Sequence, residues 1–321
     1  MNCTAIQFMA KPIHEPKVQF MPRAIHDAKH QFIYIEKQTD EKIHWSVFYF
    51  YIFNSYTLKK KKKRCIIIYD VKKGEPYMQD SYIGDIGDYG KYGLLREVCN
   101  TPISLSVNWY KVTPSKIGKQ DDGKYINYLH SPSVYGEYDN SLFNSLYKIV
   151  ITEQDRRIER IEQENLFSSI YYSEPLCSSR NLWHAQALHK TKGTDVVFLD
   201  PDNGLETSMM YKNNRSTEKH VKWEELRDYY NRGQSVIMYQ HRPQMCKKEK
   251  CIENVMNFNN TYLCADYVKL LEFPKFTNRF YFMFIHKNHI TTFDNICNAM
   301  TNKWGKNNFC REIPLQNGKT L

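Results

Sequence analysis

The sequence predicts an α/β fold whose doubly wound, mostly parallel sheet carries an antiparallel pair of strands at one edge. Two continuous apolar runs, residues 195–199 and 235–239, are typical of strands that helices cover on both faces. Helical patterns alternate with these strands along the chain, as they do in doubly wound sheets. Two further strands, Tyr267–Phe273 and Arg279–Ile285, are separated only by a short segment that begins with Pro274, so we expect an antiparallel pair there.

The remaining elements follow from periodicity and from capping residues. Apolar and polar residues alternate over residues 104–112, which predicts a strand. Residues 170–172 predict a second, short strand. Asp139 is a candidate N-cap for the helix that follows it. Apolar spacing predicts helices over residues 94–98, 142–149, 154–167, 181–190, 223–231, 248–258 and 292–304.

The net positive charge is distributed unevenly, and most of it lies before residue 78. The 321 residues carry a net charge of +10, but residues 1–77 hold 14 Lys and Arg against 7 Asp and Glu and contribute +7 of it. The remaining +3 belongs to residues 78–321, which we expect to form a single α/β domain. Total charge is therefore a weak argument for a nucleic-acid partner.

We interpret residues 1–77 as upstream DNA translated into protein. The alternative is a disordered basic arm. Lys72-Lys73-Gly74-Glu75 can be encoded as AAA-AAA-GGA-GAA, which contains a bacterial ribosome-binding sequence shortly before the Met78 codon. The lysine run and the many Ile, Phe, Tyr and Asn codons are what A/T-rich DNA would give. We therefore expect translation to begin at Met78.

The sequence indicates a cytoplasmic protein that does not span a membrane. Its nine Cys form no CxxC pair, so reduced thiols are expected rather than a zinc site. The start lacks the apolar core of a secretory signal. The longest apolar run, residues 45–53, is shorter than the ~20 residues that a bilayer requires.

Polar residues follow the two buried strands directly. The loop after the first strand contains Asp200, Pro201, Asp202 and Asn203, and the loop after the second contains His241. Open parallel sheets bind ligands beyond the carboxyl ends of their strands, so we interpret these five as candidate catalytic residues. Asp-Pro followed by Asn-Gly also forms ordinary turns, and His241 can equally be a solvated loop residue.

A glycine-rich segment supplies the second group of candidates. Gly84, Asp85, Asp88, Lys91 and Tyr92 lie in a stretch with four glycines in ten residues. Glycines allow a ligand to approach the backbone closely, and a helix start favours anions. The stretch matches neither the Walker A motif nor GxGxxG, and a glycine-rich turn capped by Asp88 is the simpler alternative.

This segment resembles the opening signature of the J-type large-subunit ribosomal RNA adenine-N6 methyltransferases. Those enzymes begin with His-Ala-Gly-Asn, then an Asp three residues on and Lys-His shortly after. Gly84, Asp88 and Lys91 match this spacing, whereas Asp85 replaces the Asn and Tyr92 replaces the His. The chain is also similar to uncharacterised bacterial proteins that carry GDxGD…KYGLLR and FLDPDNGL.

The resemblance implies a Rossmann-like, methyltransferase-like sheet, S-adenosylmethionine as cofactor and a nucleic-acid base as substrate. In that superfamily an Asp-Pro-Pro-Tyr loop receives the target amine, and Asp200-Pro201 is similar to its first half. The five residues of the glycine-rich segment would then line the cofactor. Three departures matter: Asp202-Asn203 stands in place of Pro-Tyr, and no acidic-x-Gly-x-Gly loop follows strand 104–112. The third is that the basic surface expected for binding ribosomal RNA is modest once residues 1–77 are set aside.

Two other functions remain open on the sequence. Asp200 and Asp202 could hold Mg²⁺ in a hydrolase or nuclease, with His241 as the acid or base. Alternatively, a degenerate methyltransferase fold binds nucleic acid without catalysis. No residue pattern indicates an oligomeric state.

The start site can be tested on protein expressed from the native gene. We expect an intact mass that corresponds to residues 78–321, since the ribosome-binding sequence precedes the Met78 codon. Mass spectrometry of the purified protein checks this, and a mass that includes residues 1–77 would contradict it.

Overall fold

The computed structural model forms two compact units, Met1–Glu75 and Pro76–Leu321. It describes the backbone of residues 18–19, 30–39, 42–55, 63–70, 316 and 319–320. Side chains are described as well over residues 83–112, 123–176, 179–243, 245–275 and 278–315.

The first unit contains a four-stranded antiparallel sheet in the order β1-β2-β3-β4. Its strands are Val18–Gln19, His30–Thr39, Lys42–Ser55 and Lys63–Asp70. Translation from Met78, with this unit as upstream sequence or as a basic arm, stays a prediction.

The second unit is built on a seven-stranded sheet in the order β13-β11-β12-β10-β7-β5-β6. Strands β6, β5, β7 and β10 are mutually parallel, β12 and β13 run the opposite way, and β11 runs with the parallel four. A two-residue parallel pair, β8 with β9, lies outside this sheet. The strands are β5 Leu105–Asn108, β6 Ile170–Tyr172, β7 Val196–Leu199, β8 Gly204–Leu205, β9 His220–Val221, β10 Ser235–His241, β11 Tyr267–Phe273, β12 Arg279–Ile285 and β13 Arg311–Glu312.

Helices cover both faces of this sheet, and each face has its own apolar core. Residues of α1, α3 and α9 pack on one face, and residues of α5, α7 and α8 pack on the other. Strand β7 alternates between the two: Val196 and Phe198 belong to the first core, Val197 and Leu199 to the second. The helices are α1 Ile86–Cys99, α2 Pro132–Tyr135, α3 Asn140–Tyr147, α4 Ile158–Gln163, α5 Arg180–Lys190, α6 Ser208–Lys212, α7 Trp223–Asn231, α8 Lys248–Phe258 and α9 Ile290–Trp304.

The α/β class, the buried strands and the antiparallel pair are confirmed. All four residues of β7 are fully buried between two parallel neighbours. Strands β11 and β12 pair antiparallel over their predicted ranges, and the short β13 adds one more strand outside them. Asp139 caps α3 by accepting a hydrogen bond from the Leu142 N–H.

Four predicted elements have clearly different bounds in the structure. The predicted strand 235–239 extends to His241, so His241 is the last residue of β10 and not a loop residue as expected, because it pairs with Arg279 of β12. The predicted strand 104–112 ends at Asn108, because Tyr110 has a φ of 51° and cannot continue a strand. The predicted helix 154–167 is reduced to α4, Ile158–Gln163. The helix expected from Leu94 begins eight residues earlier, at Ile86. The sequence also predicts an ordinary turn over residues 121–124, of which Asp121 and Asp122 lie outside the described residues.

The early start of α1 places three glycines inside a helix. A Cβ on Gly87 would lie 2.0 Å from the Arg279 guanidinium carbon, and one on Gly93 would lie 2.2 Å from the Trp304 ring. A Cβ on Gly90 would lie 2.7 Å from the Phe273 ring. These glycines therefore bring the helix close to β11, β12 and α9, which the sequence pattern alone did not indicate.

Two general expectations concern compartment and redox state. No helix in the described part of the chain combines the length and the apolar character that crossing a membrane requires. Six cysteines are described with their side chains, and all six are free thiols. The cytoplasmic assignment stays a prediction.

We expect Gly93→Ala to destabilise the second unit, although alanine favours a helix over glycine by about 1 kcal/mol. The added methyl group overlaps the Trp304 ring, and overpacking of this kind costs about 1–3 kcal/mol or more. The midpoint of urea unfolding measures the change. Asn298→Ala, at an exposed position of α9, is the control and should leave the midpoint unchanged or raise it. A Gly93→Ala midpoint at or above that of the unmodified chain would contradict the packing argument.

Candidate functional site

The candidate site lies where the strand order reverses. The chain passes from β5 to β6 on one side and then places β7 on the other side of β5. Such a switch point opens a crevice beyond the carboxyl ends of the strands. Asp200 begins the loop after β7, and its N–H donates to the Asn108 carbonyl at the end of β5 at 3.0 Å.

Lys91 reaches this loop from helix α1. Its Nζ lies 2.7 Å from Asp200 Oδ2 and 2.7 Å from Asp88 Oδ1. The ammonium group also lies 5.3 Å from the Tyr92 ring centroid and 5.6 Å from that of Trp109, within the range of cation–π attraction. Lys91 therefore joins the two predicted groups of residues, which are 109 positions apart in the chain.

The start of α1 is fixed by the carboxylates of Asp85 and Asp88. Asp85 is the N-cap and accepts from the Asp88 N–H at 2.8 Å. Asp88 Oδ2 accepts from the Gly84 N–H at 3.1 Å and from the Tyr92 hydroxyl at 2.9 Å. Gly84 has a φ of +74°, a conformation that glycine adopts readily. All five candidates of the glycine-rich segment thus belong to one buried network.

Arg279 completes the network from the sheet. Its Nη2 lies 3.0 Å from Asp85 Oδ2, and the side chain is 11% exposed. Arg279 is not among the site residues that the sequence patterns predicted. A signal was present, because Arg279 is the single charged residue at the head of a strand whose other six residues are apolar or aromatic.

Burial and charge act against each other in this network. Burial raises the pKa of Asp200 to about 6, although Lys91 pulls it down. Burial alone would lower the pKa of Lys91, but attraction to Asp200 and Asp88 outweighs it and raises that pKa above its ordinary value. Burial also raises the pKa of Asp85 against the opposing effect of Arg279. With every group ionised, three carboxylates face two cations.

The other predicted residues of the loop have mainly structural contacts. Pro201 is buried, and Asp202 lies 4.0 Å from the Lys219 ammonium. The Asn203 carbonyl accepts from the His241 N–H at 3.3 Å and from Gln240 Nε2 at 2.9 Å. Burial lowers the pKa of His241, and Arg279 and Arg242 lower it further, so its neutral form is favoured near pH 7.

The Gln240 side chain braces this loop from β10. Its Nε2 donates to the carbonyls of Asn203 and His241, both at 2.9 Å, and its Oε1 accepts from the Leu205 N–H at 2.9 Å. Gly204 has a φ of +104°, and a Cβ there would lie 2.3 Å from Gln240 Oε1. A side chain at position 204 is therefore excluded by both backbone conformation and space.

The structure separates the predicted site into two parts. Asp200 joins the Lys91 network, whereas Asn203 and His241 line a cavity of about 360 Å³ together with Gln240, Cys246 and Cys251. Within the described ranges, no group of three or more His, Cys, Asp or Glu side chains is placed to hold a metal ion. The buried ion network is therefore the most distinctive chemical feature of the predicted site.

Comparison of the chain with protein-family models, with curated proteins and with solved structures finds no match. We therefore infer the function from the geometry of the site and from the two short motifs.

We expect Asp200 to take up a proton as the pH falls through about 6, the value to which burial raises its pKa. The folded pKa exceeds the ordinary value of 3.8, so the folded chain binds this proton more tightly than the unfolded chain does. The contribution of Asp200 to stability therefore improves as the pH is lowered from above 6 towards 4. Carboxyl ¹³C NMR should show one aspartate titrating near pH 6 that is absent in Asp200→Asn.

Asp195 is the internal control for this titration. Its pKa is lowered by hydrogen bonds from Ser104, so its resonance should titrate below the ordinary range in both proteins. A spectrum in which every aspartate titrates near or below pH 4 would show that Asp200 is not desolvated as described.

Proposed function

We propose that this chain is a methyltransferase-like enzyme that acts on the exocyclic amine of a nucleic-acid base and uses S-adenosylmethionine as methyl donor. One observation carries the proposal: Asp200-Pro201 lies at the carboxyl end of β7, beside the reversal in strand order, with its carboxylate held by Lys91. This is the position in which the resemblance expects the loop that receives the target amine.

The topology supports a Rossmann-like arrangement of the sheet. Four adjacent strands are parallel, helices cover both faces, and an antiparallel strand, β12, lies between β10 and β11 near one edge. These are the features that the resemblance to methyltransferases implies for the sheet.

Asp200 has the chemistry to receive an amine. Lys91 binds Oδ2, and no other hydrogen-bond partner of this carboxylate is found among the described residues. The Asp200 side chain is 13% exposed to solvent, so Oδ1 can accept a hydrogen bond from an amine N–H. Above pH 6 the group is ionised and accepts only, which favours the amine over a carbonyl. Pro201 fixes the direction of the loop behind it.

The net negative charge of the buried network complements the positive charge of the methyl donor. Asp85, Asp88 and Asp200 outnumber Lys91 and Arg279 by one, which favours a sulfonium cation over an anion. S-adenosylmethionine, when bound, supplies an activated methyl group. The turn after β5 contains Trp109 and Tyr110 instead of glycines, so the seat for this group differs from an acidic-x-Gly-x-Gly loop.

The two other functions have less support. A magnesium-dependent hydrolase would use Asp200 and Asp202, but Asp200 is bound to Lys91, and the described residues offer no cluster of three ligands. A non-catalytic nucleic-acid-binding module agrees with the absence of a glycine loop and of the stacking aromatic residue. Both alternatives are outcomes of the same experiment.

The test is isothermal titration of the full chain with S-adenosylmethionine, together with methyl transfer from labelled donor to ribosomal RNA. We expect micromolar binding and measurable transfer. Asp200→Asn should reduce transfer by about 10- to 100-fold, since a hydrogen bond to a charged group is worth about 1.5–3 kcal/mol. Asp195→Asn, at the opposite end of the same strand, removes the same charge and should leave transfer unchanged.

Each other result identifies an alternative. Absence of S-adenosylmethionine binding removes the methyltransferase proposal. Mg²⁺ binding that is lost in Asp202→Asn would then support the hydrolase. Retained oligonucleotide affinity without either ligand would support the binding module.

A further inference from the structure

A second cavity, of about 470 Å³, lies between helices α5, α6 and α7. These helices are on the sheet side opposite α1, so the cavity is separate from the Lys91 network. Its volume falls in the range of about 300–1,000 Å³ that is typical of sites for small molecules. One face of α5 lines it, with Asn181, His184, Ala185 and Leu188 spaced one helical turn apart.

The cavity wall carries more negative than positive charge. Four carboxylates line it, those of Glu206, Glu224, Glu225 and Asp228, against the single cation of Lys222. Two of the four are already paired: Arg180 Nε lies 2.6 Å from Glu225 Oε1, and His184 Nε2 lies 3.1 Å from Asp228 Oδ2. In the part of the chain that the structure describes, Glu206 and Glu224 form no ion pair.

Glu206 is the buried member of this set. It is 4% exposed, and its Oε1 accepts from the Trp223 N–H at 2.7 Å while its carbonyl accepts from the Trp223 indole N–H at 2.9 Å. Backbone and carboxylate are therefore both held in place. Burying an ionised carboxylate without a cation costs free energy, and burial raises the pKa of Glu206, with Glu224 and Glu225 adding to the rise.

Two further groups in the wall can contribute to a ligand. Tyr211 lines the cavity and stacks on Trp223, with ring centroids 4.4 Å apart and 14° between the planes. A fixed aromatic face next to carboxylates attracts organic cations. His184 is 8% exposed, and its Nδ1 has no hydrogen-bond partner among the described residues. A buried polar atom left unsatisfied in a cavity wall is unusual in native proteins.

We propose that this cavity binds an aliphatic amine in its cationic form, such as a diamine or polyamine, with Glu206 as the carboxylate that receives an ammonium group. Glu224 receives a second charge, and Tyr211 and Leu188 contact the carbon chain. The site requires neither the methyltransferase reaction nor its cofactor, so it stands apart from the function proposed above.

The test is isothermal titration of the full chain with putrescine and with spermidine, and with butane-1,4-diol as a neutral ligand of the same length as putrescine. We expect both amines to bind at micromolar to submillimolar concentration and the diol not to bind. Glu206→Gln keeps an acceptor oxygen for Trp223 and should weaken amine binding at least 10-fold. Glu253→Gln removes the same charge from an exposed ion pair on α8 and should leave affinity unchanged.

A second variant distinguishes loss of the binding site from misfolding. Tyr211→Leu removes the aromatic face, keeps the Glu206 carboxylate and should weaken amine binding several-fold, with thermal unfolding as the check on folding. Equal affinity for the diol would overturn the proposal, and so would absence of binding at millimolar amine. Wild-type affinity in both folded variants would overturn it as well. S-adenosylmethionine binding should be the same in Glu206→Gln and in the unmodified chain, which keeps this test independent of the first.

Discussion

The Lys91 ammonium group is the contact on which the candidate site depends, because it joins helix α1 to the loop after β7. Lysine is rarely buried without a partner, and here two carboxylates share its charge. Removing one partner of a buried ion pair leaves an uncompensated charge and typically costs about 3–5 kcal/mol. The network therefore fixes how a helix from the start of the domain meets the centre of the sheet.

This ion network is possible only because α1 lies close to its neighbours. Each interior glycine disfavours the helix by about 1 kcal/mol relative to alanine, so three of them would be costly in an isolated segment. Gly87 leaves room for the Arg279 guanidinium, and Gly93 leaves room for the Trp304 ring. The glycines thus allow α1 to pack closely against neighbouring elements. This packing places the polar residues between them, Asp88 and Lys91, next to the sheet.

Burial on both faces explains why much of the fold could be predicted. Strands β7, β10 and β12 are recognisable because a strand covered twice is apolar at nearly every position. The start of α1 was missed because local propensity argues against glycine in helices and only tertiary packing reverses this. The sequence likewise predicted that Asp200 and His241 follow two neighbouring strands. Strands β7 and β10 are neighbours, although His241 is itself the last residue of β10. The contact of Asp200 with Lys91 and the separate cavity of His241 depend on distances that no local pattern contains.

The brace from Gln240 has a consequence for how ligands would reach the loop after β7. Two hydrogen bonds tie Asn203 and Leu205 to the Gln240 amide on β10, and the His241 N–H donates a third to the Asn203 carbonyl, so the loop leaves the strand only when these three bonds break. Its amide protons should then exchange with solvent in the same cooperative unit as the strand, instead of at the fast rate of a mobile loop. A ligand would meet a surface that is already in place, and little of its binding free energy would be spent on ordering the protein.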